Sequence, residues 1–348
     1  MLAAVAMAKE RIDFQFYIFE LGLIGRQFID ALGEAAARGV RVRVLIDGLG
    51  SQRDGLMIAE HLELDGAEVK IYHPLPWLTP LHRWSRQRGN RIRKAITFLF
   101  KVNRRNHQKL CIVDSHRVWT GSINISDTHL ATDLGGQGWR DYAISMEGEG
   151  ASALARSFDD FWDSGRAQTG KGFLTRYLHN KSLVARRLKN RFFVERIRSA
   201  QRRLWIASAY FAPPGAVRRA LITACQRGVD VRLILSLESD VPMFPGISRC
   251  YYSQLLKAGA KIYEYRPAVL HAKVLLSDDI CVLGSSNINY RSFFHDLELD
   301  AVLDDEDVLR DLERELGLDM QASRVIGPAD AKGLSWNLRL LHYLRYWM

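Results

Sequence analysis

The chain repeats itself, and the repeat limits the fold more tightly than any single motif. RIDFQFYIF (Arg11 to Phe19) is followed by a helical stretch, by RGVRVRVLID (Arg38 to Asp47) and by DGAEVKIY (Asp65 to Tyr72). Later, RRLWIASAYF (Arg202 to Phe211) is followed by a helical stretch, by RGVDVRLILS (Arg227 to Ser236) and by AGAKIYEY (Ala258 to Tyr265). Each half reads strand, helix, strand, helix, strand, the alternation of a layered α/β lobe. VRVLI and VRLIL are almost unbroken apolar runs, as strands covered on both faces should be. The fold class expected is therefore α/β, a tandem duplication of an α/β/α lobe. The 348 residues suit two such lobes, placed at 1–167 and 168–348. A content of 47% hydrophobic and 25% charged residues excludes disorder as the main theme.

One insertion distinguishes the halves. Residues 73–106 separate the third strand of the first lobe from its next motif, where the second lobe has only Arg266 to Leu270. That insertion holds nine basic residues and no acidic one, and a second stretch, Arg166 to Arg203, holds twelve against the single Glu195. The net charge of +10 therefore hides two strongly cationic segments on a chain that is otherwise acidic. In the insertion, Trp84, Phe98 and Phe100 interleave with Arg86, Arg88, Arg91, Arg93 and Lys94. The mixture suits the head-group boundary of an anionic bilayer, and it would also suit stacking on single-stranded nucleic acid. At the end of the chain Trp336, Leu340, Tyr343, Leu344 and Trp347 fall near helical spacing, which fits an interfacial anchor or packing on the core.

No stretch nears the roughly 18 apolar residues of a spanning helix, and MLAAVAMAKE lacks the basic start of a signal peptide. Cys111, Cys225, Cys250 and Cys281 lie far apart without a CxxC pair, so neither a zinc cluster nor a disulfide framework is expected. A cytoplasmic setting, with any membrane met from its surface, is the expectation.

The chemistry sits just after the insertion. The first lobe has His107-Gln108-Lys109 with Asp114, then Gly121-Ser122-Ile123-Asn124. The second has His271-Ala272-Lys273 with Asp278, then Gly284-Ser285-Ser286-Asn287. This composition would give one HxKxxxxD match by chance with a probability of roughly 0.02, so two in matched positions are not coincidence. His and Lys two apart on a strand point to one face, and an imidazole beside an ammonium suits a phosphate. Asp114 and Asp278 fall at the turn ending the strand, at odd spacing, and read as structural. Ser122, Asn124, Ser285 and Asn287 are able to donate hydrogen bonds to phosphoryl oxygens, and the two serines are grouped with Asp114 and Asp278 as structural members of the motif, leaving the asparagines for the site.

If the lobes pack about a pseudo-twofold axis, one active site at their interface collects both sets. One neutral imidazole would attack a phosphodiester phosphorus and form a phosphohistidine, while the other, protonated, gives a proton to the leaving alkoxide. Lysines and asparagines would take the place of a metal, and no dense carboxylate cluster for a two-metal site is evident. No metal and no cofactor are expected. Each His needs a carboxylate to orient it. Two stand at comparable distances downstream, Asp141 34 residues after His107 and Glu298 27 residues after His271.

With these residues in view, the sequence resembles the phospholipase D superfamily, and within it the bacterial cardiolipin synthases. FQFYIF, RGVRVRVLIDGLGS, NHQKLCIVD with GSIN, WRDY followed by MEGEG, SAYFAPP, and HAKVLLSDD with GSSN and LELD carry the resemblance over nearly the whole chain. It implies a phospholipase D-type lobe in tandem, a site lined by His107, Lys109, Asn124, His271, Lys273 and Asn287, and Asp141 and Glu298 as the acidic His partners. It assigns the nucleophile to His107. It also implies transfer of a phosphatidyl group onto phosphatidylglycerol, giving cardiolipin and glycerol, at the cytoplasmic face of the inner membrane and without a nucleic acid partner. Family members commonly carry further residues or membrane-spanning helices ahead of the first strand. Here Glu20-Leu21-Gly22 also replaces the aspartate-containing turn often found after that strand. A hydrolytic phospholipase D, a phosphatidylserine synthase or a nuclease of the superfamily would keep the same motifs, and a non-enzymatic membrane scaffold would not need them.

Overall fold

The computed structural model describes residues 1–75, 103–164, 173–174 and 176–330. Trp84, Arg86, Arg88, Arg91, Arg93, Lys94, Phe98 and Phe100 of the basic insertion, and the aromatic residues of the C-terminal tail, lie outside the described residues. The chain divides into two compact units. The first comprises Met1–Gln137, Ile144–Gln168 and His295–Glu298, and the second Gly138–Ala143, Thr169–Phe294 and Leu299–Met348. Each unit thus takes a short segment from the other's stretch of sequence.

In the first unit a short helix α1 (Leu2–Ala6) precedes strand β1 (Arg11–Phe16), followed by α2 (Leu23–Ala37), β2 (Arg41–Asp47), α3 (Gly55–Leu64) and β3 (Glu68–Tyr72). A hairpin of β4 (Leu110–Val113) and β5 (Arg117–Gly121) comes next, then β6 (Ala143–Glu147) and helix α4 (Glu149–Ser164). The sheet runs β3-β2-β1-β4-β5-β6, with β1, β2 and β3 parallel and β4 antiparallel to β1.

Alternation along the strands sets the layers. Ile12, Phe14, Val42, Val44 and Ile46 pack with Phe28, Leu32 and Ala35 of α2 on one face. Asp13 and Arg43, one residue out of phase, point to the other face. There Arg43 stacks over Phe158 and Trp162 of α4 and bonds both Asp13 and Asp159. Burial pushes the Asp13 carboxyl above its ordinary range despite Arg43 and Arg11 beside it, as expected where desolvation outweighs the attraction of a buried pair.

The second unit opens with β7 (Phe173–Leu174), β8 (Tyr177–His179) and helix α5 (Leu183–Ser199). The pattern of the first unit then recurs: β9 (Arg203–Ser208), α6 (Gly215–Gln226), β10 (Asp230–Ser236), α7 (Phe244–Arg249), α8 (Tyr252–Ala258) and β11 (Lys261–Tyr265). The hairpin of β12 (Lys273–Ser277) and β13 (Ile280–Gly284), then β14 (Leu299–Leu303), α9 (Glu306–Gln321) and β15 (Ser323–Ile326), complete it. Its sheet contains the run β11-β10-β9-β12-β13-β14, strand for strand the order of the first sheet, with β15 added beyond β11 and β8 and β7 beyond β14. The duplicated α/β lobe read from the sequence is therefore the fold. Leu204, Ile206, Val231, Leu233 and Leu235 pack with Val217, Leu221 and Ala224 of α6. On the opposite face Arg232 stacks on Trp205, 4.4 Å from its ring centre, and Arg203 pairs with Glu313 of α9.

Candidate active site

In both units the His-Lys pair lies in the extended lead-in to the strand that pairs with the first strand of the lobe. His107 precedes β4 and His271 precedes β12, so neither His is a strand residue as the motif spacing suggested; only Lys273 begins its strand. The extended backbone still brings each pair together. The ammonium Nζ of Lys109 donates to the His107 carbonyl at 2.7 Å, and that of Lys273 donates to the His271 carbonyl. All four side chains belong to residues less than a tenth exposed. In the first unit the Tyr17 ring meets His107 edge-on at 4.9 Å between centres and lies 5.3 Å from Lys109 Nζ.

Sequence order gives the wrong partner for each carboxylate. His107 Nδ1 lies 3.0 Å from Glu298 Oε2, and His271 Nδ1 lies 2.9 Å from Asp141 Oδ1. The crossing follows from the short exchanged segments. In the first unit Leu297 donates its N–H to the Arg105 carbonyl at 2.8 Å and accepts from His107 N at 2.9 Å. In the second, Arg140 donates to the Val269 carbonyl at 2.9 Å and accepts from His271 N at 2.8 Å. The carboxylate one residue further on is delivered to the imidazole in both. An ionised carboxylate only accepts, so it fixes the proton on Nδ1 and leaves Nε2 as the nitrogen for chemistry.

The asparagines are oriented by matching bonds. Ile18 N donates to Asn124 Oδ1 at 3.3 Å and Tyr210 N to Asn287 Oδ1 at 3.2 Å. With each carbonyl end held by backbone, the NH₂ is the end offered to a ligand. The serines differ from the asparagines. Ser285 Oγ accepts from Leu299 N at 3.0 Å and donates to the Leu299 carbonyl at 3.3 Å, which ties it to β14 instead of a phosphoryl oxygen. Ser122 is fully buried. Gly284 is needed for close approach, since a Cβ there would sit 2.4 Å from the Leu299 carbonyl oxygen.

Asp114 and Asp278 are turn anchors, as their spacing indicated. Both adopt positive φ, 51° and 49°, which Asp tolerates in tight turns. The Asp114 carboxylate accepts from the backbone N–H groups of Lys9, Glu10 and Arg11, and that of Asp278 from Gln201, Arg202 and Arg203. Burial opposes ionisation of Asp278, but the backbone donors prevail and hold its carboxyl below the usual range.

Several supporting residues escaped the sequence reading. At the end of β2, Asp47 accepts from Arg105 Nη2 at 2.7 Å and from Asn106 N at 2.8 Å, fixing the two residues ahead of His107. Arg105 and Asp47 are both buried, and burial pushes the Asp47 carboxyl up against the pull of Arg105. The second lobe solves the same problem without charge: Ser236, at the matching strand end, accepts from Leu270 N at 3.0 Å, and Val269 stands where the first lobe has Arg105. Arg140 is held by Asp319 Oδ1 and Glu315 Oε2, each at 2.8 Å, and Tyr142 OH donates to Asp319 Oδ2 at 2.6 Å. These bonds clamp both neighbours of Asp141 to α9. Beneath Asn287, the buried Asp300 accepts from Ser286 N at 3.0 Å and Ser286 Oγ at 2.6 Å, and Lys189 Nζ reaches Ser286 Oγ at 2.5 Å. The repeat alignment could have flagged Asp47 against Ser236; the α9 contacts carry no local signal.

Two lobes of one topology, each presenting His, Lys and Asn with a carboxylate on His Nδ1, define a phospholipase D-type protein. Comparison with known proteins narrows this. The chain matches the family described as cardiolipin synthase, PLD-like domain, over residues 1–162 and 193–320, and it belongs to that family. It is 31% identical to cardiolipin synthase A of Pseudomonas putida over 94% of this chain and 67% of that protein. It is also 31% identical to the cardiolipin synthase of Alkalihalophilus pseudofirmus over 87% of this chain and 59% of that protein. The chain thus spans about three fifths to two thirds of the length of these relatives. Among solved structures it resembles phosphatidylserine synthase of Haemophilus influenzae with a TM-score of 0.69 at 16% identity, over 99% of this chain and 88% of that one. The resemblance shows the shared fold. The curated relatives bear the name cardiolipin synthase, and the chain shares their PLD-like domain.

Proposed function

We propose that the two His-Lys-Asn sets act on one phosphodiester, transferring a phosphatidyl group from one phosphatidylglycerol to another without a metal ion. The observation that carries this reading is the paired carboxylate on Nδ1 of both His107 and His271. Each set alone supplies a nucleophile or an acid but not both, and transfer between alcohols needs both.

In the first step His107 Nε2 forms a bond to phosphorus as the bond from phosphorus to the glycerol headgroup oxygen breaks. His271, protonated, donates its proton to that oxygen and glycerol leaves. In the second step neutral His271 takes a proton from a headgroup hydroxyl of another phosphatidylglycerol. That oxygen attacks phosphorus, the bond to His107 breaks, and cardiolipin is released. Glu298 and Asp141 support the positive charge each imidazole carries in turn. Lys109, Lys273 and the NH₂ groups of Asn124 and Asn287 stabilise the phosphoryl oxygens. In this reading the protein works as a peripheral protein on the cytoplasmic face of the inner membrane, with no nucleic acid partner. No helix among the described residues is long and apolar enough to cross a membrane.

The test is incubation of purified protein with phosphatidylglycerol vesicles and, separately, with DNA, each in the presence of chelator. Cardiolipin and glycerol are expected. Phosphatidic acid alone would indicate a hydrolase, turnover lost to the chelator would overturn the metal-free step, and DNA cleavage with inert lipid would overturn the reading.

A further inference from the structure

Helix α5 buries Ala185, Lys189, Phe193 and Ile197 at four-residue spacing, which fixes one face against its own unit. On its outward side, Leu183, Val184 and Leu188 in the first two turns are 74%, 60% and 45% exposed. Phe294, 47% exposed, lies alongside: Arg186 Nη1 donates to its carbonyl, and Asn190 Nδ2 donates to the Phe293 carbonyl at 2.8 Å. Three large apolar side chains on the outward side of the helix, with exposed Phe294 nearby, keep water around them that burial would release.

The charges on the outward side of the helix are mainly basic. Arg187, Arg191 and Arg198 occupy the same outward side, and the helix contains a single acid, Glu195, bonded to Arg191. Apolar side chains beside arginines on an exposed helix match a surface that is anionic at the head groups and apolar just below.

We propose that the N-terminal half of α5, with Phe294, is a docking surface for an anionic phospholipid bilayer. Leu183, Val184, Leu188 and Phe294 enter the acyl boundary while Arg187 and Arg191 lie at the phosphates. The choice of a bilayer rests on the phospholipid reading of the site, but binding is measured without turnover, so the two can fail separately.

The experiment is co-sedimentation of the full chain with vesicles of phosphatidylglycerol and phosphatidylcholine in equal parts, and with phosphatidylcholine alone. It compares the unaltered protein with L183D/L188D and with R187E. The unaltered protein is expected to bind the mixed vesicles, and L183D/L188D to bind them at least about tenfold more weakly. R187E should also bind more weakly, and the difference should vanish in high salt. Cardiolipin formation by L183D/L188D should persist in detergent micelles of phosphatidylglycerol, which shows the variant folded. Equal binding by the double variant and the unaltered protein would overturn the proposal. So would a dimer, detected by light scattering, that L183D/L188D dissociates while vesicle binding is unchanged, since the patch would then be covered by a second copy. Vesicle binding that depends on Leu183 and Leu188 in a protein inert toward phospholipid would keep the docking surface and remove the transferase reading.

Discussion

Replacing Arg105 by Val tests how the first His is held in place, because the second lobe carries out the same task with Val269 and Ser236. Arg105 and Asp47 are each about 1% exposed or less and bond at 2.7 Å. Removing the guanidinium leaves the Asp47 carboxylate buried with only backbone donors, from Leu49, Gly50 and Asn106. Breaking one side of such a pair costs about 3–5 kcal/mol. The double variant D47S/R105V copies the uncharged solution of the second lobe, in which the Ser236 hydroxyl accepts the backbone N–H ahead of His271. It leaves no stranded charge, so its cost should fall to about 1–2 kcal/mol, with a coupling of about 2 kcal/mol or more in the double-mutant cycle. Chemical denaturation of the four proteins at pH 7 supplies the numbers. Additive losses would refute the claim that the charged pair acts as a unit.

Other expectations concern the site and its turns. His107→Ala and His271→Ala should each abolish cardiolipin formation while circular dichroism is unchanged; appreciable activity in either would contradict joint action on one phosphorus. Glu298→Gln and Asp141→Asn should each lower kcat by about 10²–10⁴ with little change in KM, whereas equal losses from swapping the exposed Glu68 would show the effect to be unspecific. Asp278→Asn should destabilise the protein at neutral pH. The folded-state carboxyl is held below its ordinary value, so its contribution is present above about pH 4 and lost as pH falls through the lowered value. The gap in stability between variant and unaltered protein should therefore close in acid, and a gap independent of pH would contradict the assignment.

What could be read from the sequence divides along a physical line. Strands and layers follow local periodicity, so VRVLI and VRLIL mark β2 and β10 directly, and the repeat transfers one lobe's topology to the other. His107, Lys109, His271 and Lys273 follow from a motif short enough to be held by one extended stretch. The pairing of Glu298 with His107 depends instead on which segment crosses beside Arg105. That choice is made by backbone bonds to Leu297 and leaves no local mark. The partner of Ser285 is hidden for a related reason. A serine beside a catalytic motif reads as a ligand donor, but the close packing of β14 against Gly284 claims its hydroxyl. Arg140 lies in a noticeable WRD sequence, yet its role depends on Asp319, 179 residues away on α9.

The covalent step through His107 can be trapped directly. Protein turning over phosphatidylglycerol is quenched in alkali, where a phosphorus–nitrogen bond to imidazole survives, and its peptides are weighed. A phosphatidyl adduct is expected on the peptide containing His107 and is absent in His107→Ala. Steady turnover with no adduct on either histidine, or an adduct on another side chain, would contradict that step.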